Sequence, residues 1–303
     1  MLAARHTNLS RLFFVLVVAV AFFSFNIFDQ QPIGLFEVNV VSGPGNEFAP
    51  TMSADGMTFL FVRSQPGYVK QKIMVMKKVG GKWTNPVPVS FTDERYEDSD
   101  PCITPNGSTL YFTSNRPDNR DTLPDFNIWK SELKNGKWQL PVMLKGEVNS
   151  VYDEFGPKFA KGRLYFNSFR PGGVGGSDIY AGTLNRESCL DVRNLRSVNS
   201  IFNEFDPALS PDGKHLVFSS WRTRNSAGNS DLYASKWNDS LWSNPVNMGK
   251  SLNSEGLENT PFFSYDGKSF FFSSTRRNPK DASDGTYNGQ FNIFKVTVKD
   301  VFP

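Results

Sequence analysis

FNEFDPALSPDGKHLVFSSWR, residues 202–222, decides how this chain is read. It passes from acidic residues to a proline, turns at Asp212-Gly213, runs through an apolar stretch and ends on Arg222. A proline is tolerated where a short strand begins, because its missing N–H costs little there. Asp-Gly accepts positive φ readily and marks a hairpin. The apolar run is rich in residues that suit a pleated, half-buried surface. The stretch predicts two antiparallel strands joined by a tight turn.

It occurs five times. NEFAPTMSADGMTFLFVR fills 46–63, YEDSDPCITPNGSTLYFTSNR 96–116, YDEFGPKFAKGRLYFNSFR 152–170 and LENTPFFSYDGKSFFFSSTR 257–276. The prolines at 50, 101, 157, 207 and 261 set a period of 50 to 56 residues. The turns are Asp55-Gly56, Asn106-Gly107, Asp212-Gly213 and Asp266-Gly267, with Lys161-Gly162 as a shorter version. A third strand follows each pair, at KIMVM (72–76), FNIW (126–129), SDIY (177–180), SDLY (230–233) and FNIF (291–294). A fourth follows at GKWTNPVPV (81–89), GKWQLPVML (136–144), ESCLDVRNL (187–195) and SLWSNPVNM (240–248).

Four antiparallel strands per repeat predict an all-β chain folded as a β-propeller. The fifth copy stops at FNIFKVTVKDVFP and lacks its fourth strand. GLFEVNVVSGPG, residues 34–45, precedes the first copy and is similar to the stretches before copies three and four. Residues 35–41 are therefore expected to supply the outer strand of the last blade and remove a sheet edge. The expectation is a single domain, 31–303, of five blades.

The repeat, acidic-x-x-Pro-x-x-Ser-x-Asp-Gly and then Phe-x-Ser-x-Arg and Ser-Asp-Ile-Tyr, resembles the PD40 (WD40-like) propeller repeats of TolB-type proteins. The best matches are 203–222 and 258–276, and the resemblance covers nearly all of 34–303. It implies the fold. The N-terminal α/β domain and sixth blade usual in TolB have no counterpart here, so TolB's own role is not implied. Nor does a serine-peptidase domain or a peptidoglycan-binding OmpA-like domain accompany the repeats.

Residues 1–30 differ in kind. MLAARHTNLSR is short and basic, and 12–28 are apolar apart from Ser24 and Asn26. They read as an export signal or signal anchor, with Arg5 and Arg11 keeping the N-terminus cytoplasmic. The rest is expected to be periplasmic or otherwise extracytoplasmic, held to the inner membrane if 12–28 is uncleaved and secreted if cleaved.

The 303-residue chain carries a net charge of +3, which makes no case for nucleic acid. Its two histidines, His6 and His215, leave little for a zinc site or a serine triad. Cys102 and Cys189 are too few for a disulfide framework. GGVGGSD (172–178) lacks the Lys-Ser of a phosphate loop, and DASDGTYNG (281–289) lacks the closing glutamate of a calcium loop. No cofactor or metal is expected.

In a propeller the loop into the first strand and the loop from second to third strand open on one face. That face is expected to gather Glu47, Asp98, Glu154, Glu204 and Glu258 with Arg116, Arg170, Arg222 and Arg276, as well as Asp178 and Asp231. In the first copy Arg63 falls two residues early. A residue present in every blade reads as one that holds the blade. What differs between blades is more informative, because binding concentrates on loops of a rigid scaffold. The variable loops nominate Arg120, Arg224, Arg277, Lys280 and Tyr287 as binding residues. The reading is a non-catalytic exported propeller that grips an envelope protein or glycan. The alternative is a carbohydrate-active enzyme using Glu97, Glu154, Glu204 and Asp206 at the channel mouth, since some five-bladed propellers are glycosidases.

Overall fold

The computed structural model describes residues 33–43, 45–117, 125–223, 226–277 and 289–302. The leading segment 1–30 lies outside them. Among the described residues no helix is long and apolar enough to cross a membrane. Residues 31–303 form one compact unit.

Five antiparallel sheets follow one another along the chain. Blade one comprises Asn46–Met52, Thr58–Gln65 and Val69–Val79, edged by Lys82–Trp83 and Val87–Pro88. Blade two comprises Asp98–Ile103, Thr109–Ser114 and Asn127–Lys134, edged by Lys137–Trp138 and Val142–Met143. Blade three is Glu154–Ala160, Arg163–Ser168, Asp178–Leu184 and Ser188–Asn194, with Lys145–Gly146 added in parallel outside. Blade four is Glu204–Leu209, His215–Ser220, Asp231–Lys236 and Val246–Asn247. Blade five is Glu258–Phe263, Ser269–Ser274 and Asn292–Thr297, and Gly34–Leu35 completes it. The chain is a five-bladed β-propeller.

The closure is shorter than the sequence predicts. Gly34 and Leu35 pair antiparallel with Lys295 and Phe294, and Phe36 N–H donates to Ile293 O at 2.8 Å. Residues 37–41 then turn away, with Glu37 and Asn39 at positive φ. The similarity of Glu37-Val38-Asn39 to Glu147-Val148-Asn149 is therefore out of step. Val41 takes the fully buried place of Val148, and Ser42 Oγ reaches Phe36 O and Ile293 O where Asn149 bridges Ile128.

The turns differ too. Asp55, Asp212 and Asp266 do not form two-residue hairpins. The N–H of Gly56, Gly213 and Gly267 donates back to the carbonyl of Ser53, Ser210 and Ser264, and only the glycine is at positive φ. Each aspartate Oδ1 accepts from its serine hydroxyl at 2.5–2.6 Å and from the N–H two residues on. Lys161-Gly162, with both residues left-handed, is the true two-residue turn.

The core lies between blades. Phe59, Phe61, Phe112, Phe166, Phe218 and Phe272 on second strands are fully buried. Phe270, Phe272 and Phe294 of blade five pack with Ala208, Val217 and Leu232 of blade four. Burying each such side chain contributes about 1.5–3 kcal/mol. Trp138 and Trp242 are buried in these seams. Cys102 and Cys189 are free, buried thiols of one seam.

Candidate functional site

One motif recurs in every blade. The acidic residue opening the inner strand is almost wholly buried: Glu47, Asp98, Glu154, Glu204 and Glu258 are each at most 1% exposed. Each meets an arginine of its own blade. Glu47–Arg63 is 2.9 Å, Glu154–Arg170 3.0 Å, Glu204–Arg222 3.2 Å and Glu258–Arg276 3.1 Å. Arg116 grips Asp98 through both terminal nitrogens, one at 3.0 Å. The serine two residues before the arginine also donates to the carboxylate in three blades, from Ser168, Ser220 and Ser274. Arg170, Arg222 and Arg276 lie over the phenylalanine of the second strand and the aromatic ring of the third. Phe-x-Ser-x-Arg is thus a clamp, and Arg63 completes it despite its early position. Burial raises Glu47, Asp98 and Glu154, opposed chiefly by Arg63 at Glu47 and Arg116 at Asp98, and at Glu154 by Ser150 ahead of Ser168 and Arg170.

Asp178 accepts from the N–H groups of Val174 and Gly175, and Asp231 from those of Ala227 and Gly228. Each also takes an amide from its outer strand, Asn194 or Asn247, at 2.7 Å. Both aspartates fold the second-to-third-strand loop.

Between the clamps lies a cup of about 430 Å³ at one mouth of the channel. Its wall is aromatic: Phe48, Tyr68, Phe126, Phe155, Phe169, Phe205, Trp221 and Phe291. Phe126, Phe155, Phe169, Phe205 and Trp221 form a continuous arc with successive centroids 5.0, 6.3, 6.2 and 5.2 Å apart. Phe48, Tyr68 and Phe291 form a second arc at 5.5–6.4 Å. The clamps position these rings: Phe155 and Phe205 directly follow clamp carboxylates, and Phe169 and Trp221 directly precede clamp arginines. Links across blades seat two more, since Phe126 N–H donates to Asp153 Oδ1 and Phe291 N–H to Asn46 Oδ1.

Two residues after each clamp acid the backbone is left-handed, at Ala49, Asp100, Gly156, Asp206 and Thr260 (φ 49–62°), and Asp100, Asp206 and Thr260 floor the cup. Every inner strand shifts register there, as at a β-bulge. Their amides tie neighbouring blades. Gly156 N–H donates to Asp100 Oδ2 (3.4 Å) and Asp206 N–H to Asn167 Oδ1 (3.3 Å). Thr260 N–H donates to Asp206 Oδ2 (3.2 Å) and Ala49 N–H to Thr260 Oγ1 (3.1 Å).

Asp100 and Asp206 line the cup at 6% and 9% exposure. Among the described residues neither has a lysine or arginine within ion-pair distance. Burial pushes Asp206 up to about 7, Asp100 adds to that, and Lys158 opposes it. Burial raises Asp100 as well, against Lys158. Tyr68 is raised to about 12 by burial and by the nearby charges of Asp206 and Asp100. Lys158, 6% exposed, faces a second cavity of about 360 Å³ toward the hairpin turns. Tyr265 crosses that end of the channel and donates to Ile103 O at 2.7 Å.

Of the residues nominated from sequence, Arg277 lies beside Glu255 and Gly256, away from the cup. Arg120, Arg224, Lys280, Tyr287 and the acidic loop 281–288 lie outside the described residues. Of the proposed catalytic set, Glu154 and Glu204 are clamp residues, and Glu97 accepts from the N–H groups of Lys70 and Gln71. Asp206 alone reaches the cup. The aromatic wall and Asp100 are not among the residues the sequence nominates, although aligning the repeats exposes them. Phe48, Phe155, Phe205, Asp100 and Asp206 occupy the variable positions of acidic-x-x-Pro, and Phe169 and Trp221 that of Ser-x-Arg; Phe126 and Phe291 immediately precede third strands, and Tyr68 lies in the second-to-third-strand loop of blade one. Among the described residues no group of three or more metal-ligating side chains occurs.

No family model matches the chain, and no curated protein sequence does. Among solved structures the chain is similar to an alpha-L-arabinofuranosidase from Lactobacillus brevis. The TM-score is 0.55 at 14% identity, over 84% of this chain and 90% of that one. It is similar to a thermostable family-43 glycoside hydrolase, with TM-score 0.55 at 11% identity, over 86% and 91%. TolB from Acinetobacter baumannii is also similar, with TM-score 0.48 at 13% identity. The match takes in 83% of this chain and only 54% of that TolB. At such identities the likeness is one of fold.

Proposed function

We propose that this chain is a non-catalytic binding propeller that takes an envelope protein or glycan into the aromatic cup. The observation that carries this reading is the cup itself. Eight aromatic residues converge on one mouth, five of them at positions the repeat leaves free. Several stay open to solvent, with Trp221 50% exposed, which fold stability alone does not require. Val151, Tyr152 and Ile201, exposed in the loops leading into inner strands three and four, extend the apolar surface. The clamp carboxylates are all engaged by arginines, which removes them from chemistry. The apolar segment 12–28 supports an extracytoplasmic location with a membrane anchor.

A glycan array and an array of envelope-derived peptides, both probed with the full chain, test this reading. Trp221→Ala and Phe169→Ala are expected to lower binding of any hit at least tenfold and to leave Tm nearly unchanged, since both rings are exposed. Hits that survive both substitutions would refute the cup as the binding site. Hydrolysis of a glycan hit that is lost in Asp206→Asn would replace this reading with the enzymatic one.

A further inference from the structure

The bulged floor residues show what the ring of cross-blade bonds requires. At Thr260 a hydroxyl accepts the next blade's amide, and at blade three a neutral carboxamide, Asn167, does so. Asp100 and Asp206 fill the same role with carboxylates. Their charge is thus surplus to the scaffold, and it is placed at the floor of an aromatic-walled cup that opens to solvent. Each uses one oxygen on a backbone amide, and the hydroxyls of Ser99 and Thr113 near Asp100 and of Ser219 near Asp206 also favour the charged form. The side chain of Lys158, which acts on both, makes no hydrogen bond or ion pair with described residues, and it faces the opposite cavity. Among the described residues the channel thus holds two acids against one base.

A neutral ligand seated on this floor would remove the remaining water from two carboxylates and return no charge. A cation would do the reverse. Its charge would meet both carboxylates while its carbon skeleton met the negative faces of the rings. Cation–π contacts are worth about 0.5–2 kcal/mol each, and more as the site dries. The cup also holds neutral acceptors, the side chains of Gln71 and Asn259.

Resting on the cup being the binding site, we propose that its ligand is an organic cation, an ammonium or guanidinium group seated between Asp100, Asp206 and the aromatic wall. The group can be the side chain of a lysine or arginine in a protein partner, or the head of a free amine. Binding a cation favours the doubly ionised floor, so it displaces protons that burial holds on the pair. The groups facing Asp206 are Asp100, Lys158 and Tyr68. Tyr68 stays a neutral phenol across the working range, and the pH dependence is assigned to the aspartate pair.

Titration calorimetry on the full chain, in buffers of different ionisation enthalpy, tests this. The probes are choline, its neutral isostere 3,3-dimethylbutan-1-ol, and N-acetyl-lysine and N-acetyl-arginine methylamides. Choline or a capped cationic residue is expected to bind at least tenfold more tightly than the isostere. Affinity is expected to rise by up to tenfold per pH unit between pH 5 and 7 and then level, with proton release below pH 7. Asp100→Asn and Asp206→Asn are each expected to weaken the cation tenfold or more. A capped lysine or arginine that outbinds choline identifies a protein side chain as the source, and the converse order identifies a free amine. Equal binding of choline and its isostere, a flat pH profile, or Asn variants that bind as wild type would overturn the inference. An array hit lost in Trp221→Ala but kept in both Asn variants would sink this inference and leave the cup as the binding site. The isostere comparison and pH profile use the wild type, so they stand even if a variant misfolds.

Discussion

Glu204→Ala probes a clamp whose acid is fully buried. Glu204 has no solvent exposure and accepts from Ser200 N–H at 2.8 Å, Ser200 Oγ at 2.6 Å and Ser220 Oγ at 3.0 Å. Arg222 pairs with it at 3.2 Å, its side chain 14% exposed. Truncation leaves a guanidinium over Phe218 and Tyr233 with Val198 O as its remaining acceptor. Breaking a buried pair by removing one member costs about 3–5 kcal/mol. The residual exposure and the ring contacts of Arg222 put this case at the lower end, about 3 kcal/mol. At roughly 2–4 °C per kcal/mol for a domain of this size, Tm falls by about 6–12 °C. Thermal unfolding followed by circular dichroism measures it. Removing both partners, in Glu204→Leu/Arg222→Met, is expected to recover most of the loss, because it strands no charge. Glu94→Gln, which breaks the exposed Lys72–Glu94 pair, moves Tm by about 1 °C or less. A Glu204→Ala loss below about 1 kcal/mol, or a double variant worse than the single, would show that the recurring acid and arginine do not hold the blade.

The floor and the closing strand can be probed in the same way. Asp206 binds its proton more tightly folded (about 7) than unfolded (3.8). Its contribution to stability is therefore full below pH 4 and lost as pH rises to about 7, by at most about 1.4 kcal/mol per pH unit. Asp206→Asn is expected to flatten the fall of urea-melt stability between pH 5 and 8 and to exceed wild type at pH 8; equal slopes would contradict this. Phe36, 7% exposed, packs on Phe59 at 4.7 Å and Phe271 at 5.2 Å, joining the closing strand to blades one and five. Phe36→Ala is expected to cost about 3–5 kcal/mol in chemical denaturation, the range for a buried phenylalanine; a loss under 1 kcal/mol would mean that the ring closes without it.

The repeat made the architecture legible because every recurring letter has a local physical role. Asp212-Gly213 turns the chain, Phe218 fills the seam, and Ser220 with Arg222 locks Glu204. Such roles recur with the period, so they survive translation into sequence pattern. The closing strand was harder, since a two-residue pairing at Gly34–Leu35 carries no periodic signal and Glu37-Val38-Asn39 imitates the wrong register. The cup was hardest. Five of its eight rings lie in slots that the blade leaves free, with Phe205 and Asp206 between Glu204 and Pro207, and Trp221 between Ser220 and Arg222. Within a single copy these slots look like noise, and only the ring brings slots from all five blades to one mouth. The variable loops were the natural place to look for recognition because loops usually carry it. In this propeller the clamps fix the backbone so firmly on both sides of each slot that the repeat itself can present the recognition surface. The same rigidity holds two buried carboxylates together, which a mobile loop would let relax into water. A site written into repeat positions should therefore lose affinity when a clamp is broken, even though no clamp residue lines the cup: Glu204→Ala should weaken any ligand that Trp221→Ala weakens.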